Sequence, residues 1–260
     1  MIENNIWGEK LDYLQSTRLQ FWNDDYLEFL VKNVWNIDQP KNIVDFGCGY
    51  GYLGLKLLPL LPSGCTYTGI DIADSLLEEA QHLYHNSPYI ATFIKADLLS
   101  YKPTQQYDIA ICQAFLRHTS DAKGILKKMV DSVRQGGMVI CIEVNRRMEN
   151  AGLYIDDPDY DVTEKDAVLF SKLKKELKNG ERDYMTGIKV PIYMEQLGLE
   201  QVNVRLNDFV EYVSPSHENY SDHLLQFLEN NIPFYKTTEK EQKRFLLARS
   251  LLIYYGIKGK

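Results

Sequence analysis

The chain has 260 residues, of which 45% are hydrophobic and 25% are charged, as is typical of a globular protein with a full-sized core. Its formal net charge is −7, and it carries no basic stripe that would neutralise a phosphate backbone, so nucleic acid is not an expected partner. No stretch approaches the roughly 20 apolar residues needed to span a bilayer, and the N-terminus lacks the basic and apolar segments of a secretory signal.

Four cysteines, Cys48, Cys65, Cys112 and Cys141, lie in or beside predicted strands, and none belongs to a CxxC pair. This pattern favours small core residues in a reducing compartment over a disulfide framework. We therefore expect a cytoplasmic protein.

The first predicted elements are two helices within residues 9–35, where apolar and aromatic side chains recur at helical spacing. They join near Asp24, and Asn23 or Asp24 is a plausible N-cap. Pro40 ends this region, and from there strands and helices alternate. The predicted strands are 42–46, 66–71, 90–95, 107–112 and 137–143. The predicted helices between them are 51–60, 75–86 and 120–134.

Helix ends are predicted from capping residues. Asp74 or Ser75 can cap the helix at 75–86, and Gly136 with Gly137 is expected to end the helix at 120–134.

His82 and His85 stand three residues apart on the helix at 75–86, but no further His or Cys completes a metal set. Exposed polar residues are the better interpretation, and we expect no metal.

The pattern changes after Asn145, where a polar segment precedes a more irregular half. The elements predicted there are helices at 163–179, 187–197, 216–231 and 238–248 and strands at 200–206 and 249–257. The strands before Asn145 are short apolar runs without strict alternation, as in a parallel sheet buried on both faces. The fold expected is therefore α/β and Rossmann-like, with helices on both faces, N-terminal helices and C-terminal helical insertions.

The glycine-rich run IVDFGCGYGYLG at residues 43–54 can be interpreted in two registers. Gly49, Gly51 and Gly54 spell GxGxxG, and Asp71 follows Gly51 by 20 residues, as in a dinucleotide site. The other register places an acid, Asp45, ahead of the glycines at the end of the strand.

Asp45 distinguishes the two registers. A dinucleotide brings a pyrophosphate to this turn, where backbone N–H groups favour it and a neighbouring carboxylate repels it. A ligand with a positive amino group and no phosphate reverses this preference. S-adenosylmethionine is such a ligand, because its ammonium favours a carboxylate and its ribose favours an acid at the end of the next strand.

Five motifs in order resemble the class I S-adenosylmethionine-dependent methyltransferases. They are VDFGCGYG, TGIDIAD, FIKADLL, YDIAICQAFLRHTSD and LKKMVDSVRQGGMVICIE, and they cover roughly residues 40–145. The chain is most similar to the small-molecule branch that includes the quinone-biosynthesis methyltransferases, which GERDYMTGIKVPIYMEQLGLEQVNV also resembles. The resemblance implies a seven-stranded, mostly parallel sheet whose last strand is antiparallel. Because the sequence shows no internal repeat, low-complexity tract or inter-domain linker, we expect one domain over 1–260. It would have a helical cap at 1–38, a cofactor-binding core at 40–145 and substrate-side insertions and closing strands at 146–260.

Carried over residue by residue, the resemblance implies that Asp45 and the glycine loop hold the methionine part of the donor. It implies that Asp71 bonds the ribose hydroxyls, while Asp97 meets the adenine amino group; helix capping is the competing interpretation of both acids. In full, the expected cofactor-binding residues are Asp45, Gly47, Cys48, Gly49, Gly51, Asp71, Ile72, Asp97, Leu98, Gln113 and Arg18.

Catalysis of methyl transfer requires chiefly alignment of the acceptor and exclusion of water, and a base only where the acceptor holds a proton. His118, Glu143 and Tyr13 are candidates for that base, since strand ends in this fold line ligand sites. Tyr13 and Trp22 are also candidates to close the site. Contact with the acceptor is expected of four further residues: Phe115, Arg146, Tyr160 and Tyr212.

The sequence thus predicts an enzyme that transfers a methyl group from S-adenosylmethionine to O, N or C of a small molecule, with S-adenosylhomocysteine as product. A non-catalytic cofactor-binding module that acts through a protein partner is one alternative. A less favoured one is an NAD-dependent oxidoreductase that uses Gly49, Gly51 and Gly54. After the fourth strand the chain reads CQAF, without the Asn or Asp, two prolines and aromatic of base-amino methylating members, which weighs against nucleic-acid bases as acceptors.

Overall fold

The computed structural model describes residues 8–18, 21–145, 148, 152–156, 162–179, 183, 185–218, 220, 222, 243–248 and 251–259. Helices α1 to α7 span Leu11–Arg18, Asp24–Phe29, Tyr52–Leu57, Asp74–His85, Ala122–Ser132, Val162–Lys178 and Thr186–Gln196. Strands β1 to β10 span Asn42–Phe46, Thr66–Asp71, Ile90–Lys95, Tyr107–Gln113, Val133–Val144, Leu153–Ile155, Leu199–Leu206, Val210–Val213, Phe245–Ala248 and Leu251–Lys258. Single turns of π- and 3₁₀-helix at Leu30–Val34, Leu58–Leu60 and Leu116–His118 extend or join these elements.

A seven-stranded sheet organises the chain, with strand order β3-β2-β1-β4-β5-β10-β7. Strands β1 to β5 pair in parallel, and β10 lies antiparallel between β5 and β7. This confirms the predicted fold and the antiparallel last strand. The chain leaves β1 towards β2 and β3 and then returns to β4 on the other side of β1. In open α/β sheets such a reversal is the point where ligands bind, beyond the carboxyl ends of the strands.

Both faces of the sheet are buried at its central strands β1 and β4, as the apolar runs predicted. The prediction is wrong for β3, which lies at the edge of the sheet and has no buried residue. Alternate residues of β1 enter two hydrophobic clusters: Ile43 faces helices α1 to α4, and Val44 and Phe46 face helices α5 and α7. All seven residues of β4 are buried. Because Asp45 alternates with Val44 and Phe46, its side chain lies on the Ile43 face, beneath the N-terminal helices.

The N-terminal segment is docked on this same face through side-chain hydrogen bonds to the far edge of the sheet. The Tyr26 hydroxyl donates to the Leu206 carbonyl at 2.9 Å, and the Asn207 amide donates to the Phe21 carbonyl. These bonds tie the segment after α1 to the end of β7, so that α1 is held above the carboxyl end of β1.

The sequence prediction is wrong for the end of the helix at 238–248. Residues 245–248 form β9, the centre of a second sheet with order β6-β9-β8. Phe245 and Leu247 are buried while Leu246 is exposed, which is the alternation of a strand. Four residues are too few to reveal that period, and the pairing partners of β9 lie far away in the sequence. The predicted helix at 216–231 lies mostly outside the described residues.

Helix ends also differ from their predicted positions. Asp74 is already the first residue of α4, and Ala73 precedes it as the N-cap without a side-chain hydrogen bond. Helix α5 ends at Ser132, four residues before Gly136, because Val133 already pairs with Tyr107 in the sheet. None of the helices in the described ranges is long and apolar enough to cross a membrane.

The position of β10 leads to a stability prediction. Ile253 is 0% exposed between β5 and β7, whereas Ile192 on α7 is 52% exposed. We expect Ile253→Ala to lower the free energy of unfolding by about 2–5 kcal/mol, because it removes buried methyl groups and leaves a cavity. The matched change Ile192→Ala should stay within about 0.5 kcal/mol of wild type. Urea unfolding measures both, and equal losses would contradict the placement of β10 in the core.

Candidate functional site

The glycine loop joins β1 to α3 and is fixed by backbone contacts. Gly47 and Gly51 have φ values of 74° and 78°, a region that side chains with a Cβ rarely adopt. The amides of Gly47 and Cys48 both donate to the carbonyl of Ile70, at 2.8 and 3.1 Å. A Cβ at Gly47 would lie 2.3 Å from the ring of Phe115. The loop therefore needs glycine both for its turns and for this close approach.

Asp45 is the buried acid beside the loop, with 1% of its surface exposed. Its Oδ2 accepts a hydrogen bond from the hydroxyl of Tyr67 at 2.7 Å, while its Oδ1 has no hydrogen-bond partner among the described residues. Burial raises the pKa of Asp45 to about 7, against the opposing effects of the Tyr67 hydrogen bond and the charge of Arg18. A buried carboxylate oxygen without a partner is costly, so the site favours a cationic or hydrogen-bond-donating group.

Asp71 lies at the end of β2 and is bonded to the backbone of two turns. Its Oδ2 accepts from the Gly49 amide at 2.8 Å, and its Oδ1 accepts from the amides of Ile72 and Ala73 at 2.7 and 3.0 Å. Burial raises its pKa in spite of these three amides. A carboxylate has about four acceptor positions, so these bonds leave capacity for a further donor.

Asp97 and Leu98 follow β3. The Asp97 side chain is exposed and accepts a hydrogen bond from the Leu99 amide at 2.9 Å, while Leu98 is buried in the core. The Ala96 amide donates to the Asp71 carbonyl at 2.9 Å and brings the two strand ends together. The hydrogen bond from the Leu99 amide to Asp97 Oδ1 agrees with the capping interpretation of Asp97. The other carboxylate oxygen, Oδ2, takes no part in this bond.

Arg18 and Gln113 complete a small cavity above the loop. The cavity has a volume of about 30 Å³, and its walls include Leu14, Arg18, Asp45, Gly47, Gly49 and Gln113. The Gln113 Oε1 accepts a hydrogen bond from the indole N–H of Trp22 at 2.9 Å, and both side chains are buried. Burial lowers the pKa of Arg18 to about 10, and the charge of Arg117 adds to that effect. The structure thus brings the acidic side chain of Asp45, the basic side chain of Arg18 and the glycine loop around a single cavity.

Glu143 anchors the turn that carries Phe115. It is fully buried near the end of β5, and its Oε1 accepts from the amides of Phe115 and Leu116 at 2.9 and 2.6 Å. Burial raises the pKa of Glu143, opposed by Arg117 and the two amides. His118 ends the same turn and accepts a hydrogen bond from the Arg117 Nε at 3.0 Å. Two of the three base candidates are therefore tied to the turn beside the glycine loop.

Several predicted site residues lie elsewhere. Tyr13 lies on α1 with 52% of its surface exposed, and its side chain is not among those that line the cavity. Tyr212 lies on β8 in the second sheet and packs edge-on against His217. His82 and His85 are exposed on α4. Arg146 and Tyr160 lie outside the described residues. In the described ranges no group of three or more His, Cys, Asp or Glu side chains is placed to hold a metal ion.

Two tyrosines that sequence analysis did not single out bond to the two ends of the loop, on the face of the sheet that carries Asp45. Tyr67 donates to Asp45, and the hydroxyl of Tyr84 donates to the Gly51 carbonyl at 2.8 Å. A signal was available for Tyr67, because a tyrosine inside a buried strand needs a partner for its hydroxyl. The sequence does not show which group that partner is.

Residues 44–139 match a family model described as a methyltransferase domain. Ubiquinone biosynthesis O-methyltransferase from Rickettsia canadensis is 24% identical over 148 residues, which cover 56% of this chain and 60% of that relative. The enzyme of the same name from Pseudomonas fluorescens is 30% identical over 108 residues, 41% of this chain and 45% of the relative. The chain thus spans about half of the length of the curated relatives it matches.

A solved structure supports the fold over most of the chain. Magnesium protoporphyrin IX methyltransferase from Synechocystis PCC 6803, solved with bound S-adenosylhomocysteine, has a TM-score of 0.53. The match covers 95% of this chain and 84% of that chain at 16% identity. The chain therefore has the class I methyltransferase fold and is similar to the quinone-biosynthesis branch, as its motifs indicated.

The raised pKa of Asp45 gives a pH prediction for the protein in the absence of ligand. The folded state holds the Asp45 proton more tightly than the unfolded chain, whose ordinary pKa is 3.8. This contribution to the free energy of unfolding is present in full below pH 3.8 and is lost as pH rises to about 7. We expect Asp45→Asn to be more stable than wild type at neutral pH, by about 1–3 kcal/mol. The two proteins should converge towards acidic pH.

Urea unfolding at a series of pH values measures this difference. Asp74→Asn is the matched control, since Asp74 is exposed on α4 and pairs with Lys95 at the surface. Parallel stability curves for wild type and Asp45→Asn would show that Asp45 is not buried as described.

The anchoring bonds of Glu143 give a second prediction for the site. Glu143→Gln keeps an oxygen that accepts from the Phe115 and Leu116 amides, whereas Glu143→Ala leaves both donors unpaired. We expect the alanine variant to lose about 1–3 kcal/mol more stability than the glutamine variant. Thermal unfolding of the two variants side by side measures this, and equal stability would mean that the turn does not depend on Glu143.

Proposed function

We propose that this methyltransferase transfers a methyl group from S-adenosylmethionine to an oxygen, nitrogen or carbon atom of a small-molecule acceptor. The observation that carries the proposal is the buried Asp45 beside the glycine loop, whose Oδ1 has no hydrogen-bond partner in the part of the chain that the structure describes. This arrangement fits the ammonium of the methionine part and repels the pyrophosphate of a dinucleotide. The names of the matched relatives, ubiquinone biosynthesis O-methyltransferases, support an oxygen acceptor first among the three.

The residues around the cavity have distinct proposed roles. Asp45 would bind the ammonium, and Arg18, which shares the cavity with it, would bind the carboxylate of the same methionine part. Asp71 would bond the ribose hydroxyls through its remaining acceptor capacity, with Ile72 against the adenine. Asp97 and Leu98 would lie at the adenine edge, because the Ala96–Asp71 backbone bond holds that turn beside Asp71.

The donor supplies an activated methyl group on its sulfonium, so the protein's own part is alignment and exclusion of water. Phe115 lies against Gly47 and would form one wall between the donor and acceptor sides. Glu143 holds the turn that carries Phe115, which makes it a positioning residue in this proposal. His118 remains the candidate base for an acceptor that holds a proton, while Tyr13 is exposed and loses support.

We extend the proposal to the chain as a whole. Residues 1–38 would cap the donor site, 40–145 would bind the donor, and 146–260 would contribute to the acceptor pocket. The net charge of −7 supports a small-molecule acceptor over nucleic acid. The four cysteines are free and buried, in agreement with a cytoplasmic location.

Isothermal titration with S-adenosylhomocysteine tests the donor site. We expect saturable binding to wild type and at least about tenfold weaker binding to Asp71→Ala, because hydrogen bonds to a charged group are lost. Asp74→Ala, an exposed acid three residues later, should bind as wild type does. Thermal unfolding of each variant shows whether it is folded at the titration temperature, and Asp71→Asn replaces the alanine variant where it is not.

Each outcome of the titration has a defined meaning. No binding to folded wild type would overturn the proposal, and titration with NADH would then test the dinucleotide register. Binding without turnover against a broad panel of phenols, acids and amines would favour the non-catalytic module.

A further inference from the structure

Two buried phenols hold the glycine loop at both ends, on the face of the sheet that carries Asp45. The Tyr67 hydroxyl on β2 donates to Asp45 Oδ2 at 2.7 Å, ahead of the loop. The Tyr84 hydroxyl on α4 donates to the carbonyl of Gly51 at 2.8 Å, where α3 begins. Tyr67 and Tyr84 are 1% and 6% exposed, so both hydroxyls act in a dry environment. There a hydrogen bond to a carboxylate is stronger than in water.

Ring packing fixes the position of both hydroxyls. The rings of Tyr67 and Tyr84 are stacked, with centroids 5.9 Å apart and planes at 10°. Phe93 packs its edge against both, at 6.1 and 5.1 Å. A Cβ at Gly54 would lie 2.3 Å from the Tyr84 hydroxyl and 2.7 Å from the Tyr67 ring, so α3 closes over the pair. The phenols therefore cannot follow a moving partner, and they define where Asp45 and Gly51 lie.

We propose that Tyr67 is a positioning residue of the donor site, whose hydroxyl favours the ionised form of Asp45 and thereby extends binding of the donor's ammonium to lower pH. Tyr84 holds the other end of the loop without contacting that carboxylate. This inference rests on the proposed function, because it assigns Asp45 to the ammonium. The bond uses Oδ2 and leaves Oδ1, which no described residue bonds, for the ligand.

The charge balance at Asp45 agrees with this role. The titratable groups that face it are Tyr67 and Asp71 from β2, Arg18 from α1, Cys48 from the loop, Tyr84 from α4 and Cys112 from β4. Burial raises the pKa of Asp45 to about 7, and the Tyr67 hydrogen bond is the largest opposing effect. Burial also raises the pKa of Tyr67 well above its ordinary value, so the hydroxyl stays protonated and can donate.

The test is the pH dependence of S-adenosylhomocysteine binding, measured by isothermal titration from about pH 5.5 to about pH 8.5. Wild-type affinity should rise with pH and level off once Asp45 is ionised. We expect Tyr67→Phe to move this midpoint upwards by about one pH unit, which weakens binding about tenfold below the midpoint. The affinity should recover at the alkaline end, since the carboxylate is then ionised without the hydroxyl's help.

Two matched variants separate this electrostatic role from a structural one. Tyr84→Phe removes the second hydroxyl and should weaken binding by a similar factor at every pH, without moving the midpoint. Tyr107→Phe removes a buried tyrosine hydroxyl on the opposite face of the sheet and should leave the whole profile unchanged. The ionisation of the ligand itself is common to all proteins and cancels in the comparison.

The outcomes are distinguishable from failure of the proposed function. If wild type does not bind the ligand, the proposed function fails before any variant is compared. If Tyr67→Phe binds with the wild-type midpoint, or is weakened equally at all pH values, the inference is overturned while the proposed function stands. If Tyr67→Phe does not fold, Asp45→Asn serves instead. The Asp45→Asn protein should bind S-adenosylhomocysteine weakly, with an affinity that shows no midpoint between about pH 5.5 and about pH 8.5. A midpoint like that of wild type would refute the role of Asp45.

Discussion

The buried carboxylate of Asp45 determines which ligand charge the rest of this site favours. Removing Asp45 from water costs free energy that its single hydrogen bond from Tyr67 does not offset, as the rise of its pKa to about 7 shows. The protein tolerates this because the sheet, the N-terminal helices and the aromatic cluster hold the side chain in place. A site whose free state is destabilised in this way gains most from a ligand that supplies the missing positive charge.

The sheet topology explains why this carboxylate and its partners meet. Reversal of strand order at β1 leaves the carboxyl ends of β1 and β4 open on the same edge, and β2 adds its own end beside them. Asp45, Asp71 and Gln113 lie on these three strands and share that edge although they are far apart in sequence. The N-terminal segment then covers them, with Trp22 bonded to Gln113 and Arg18 above the loop. The donor site thus combines a rigid sheet edge with a helical cover.

The sequence was most informative where structure depends on local pattern. Strands β1 to β4 begin and end within one residue of the predicted bounds, because each is an apolar run bounded by turn residues. The second sheet was missed since its strands have only three or four residues, and each pairs with a strand distant in the sequence. Sequence separation also decides which features of the site could be predicted. The glycine loop and its acid form one contiguous motif, whereas the Tyr67–Asp45 and Glu143–Phe115 bonds become visible only when the strands are assembled.

The antiparallel strand β10 has a consequence for how this chain reaches its folded state. It forms the centre of the sheet's second half, pairing with β5 on one side and β7 on the other, while β7 is an edge strand. During synthesis from the N-terminus, β1 to β5 can assemble in order, but β7 finds its place in the sheet only after residues 251–258 have been made. Leu252 must then insert between Glu143 and Leu206, contacts of high sequence separation that slow folding. Until that moment the edges of β5 and β7 that pair with β10 are open, and unpaired strand edges of this kind are the ones that can pair with another chain.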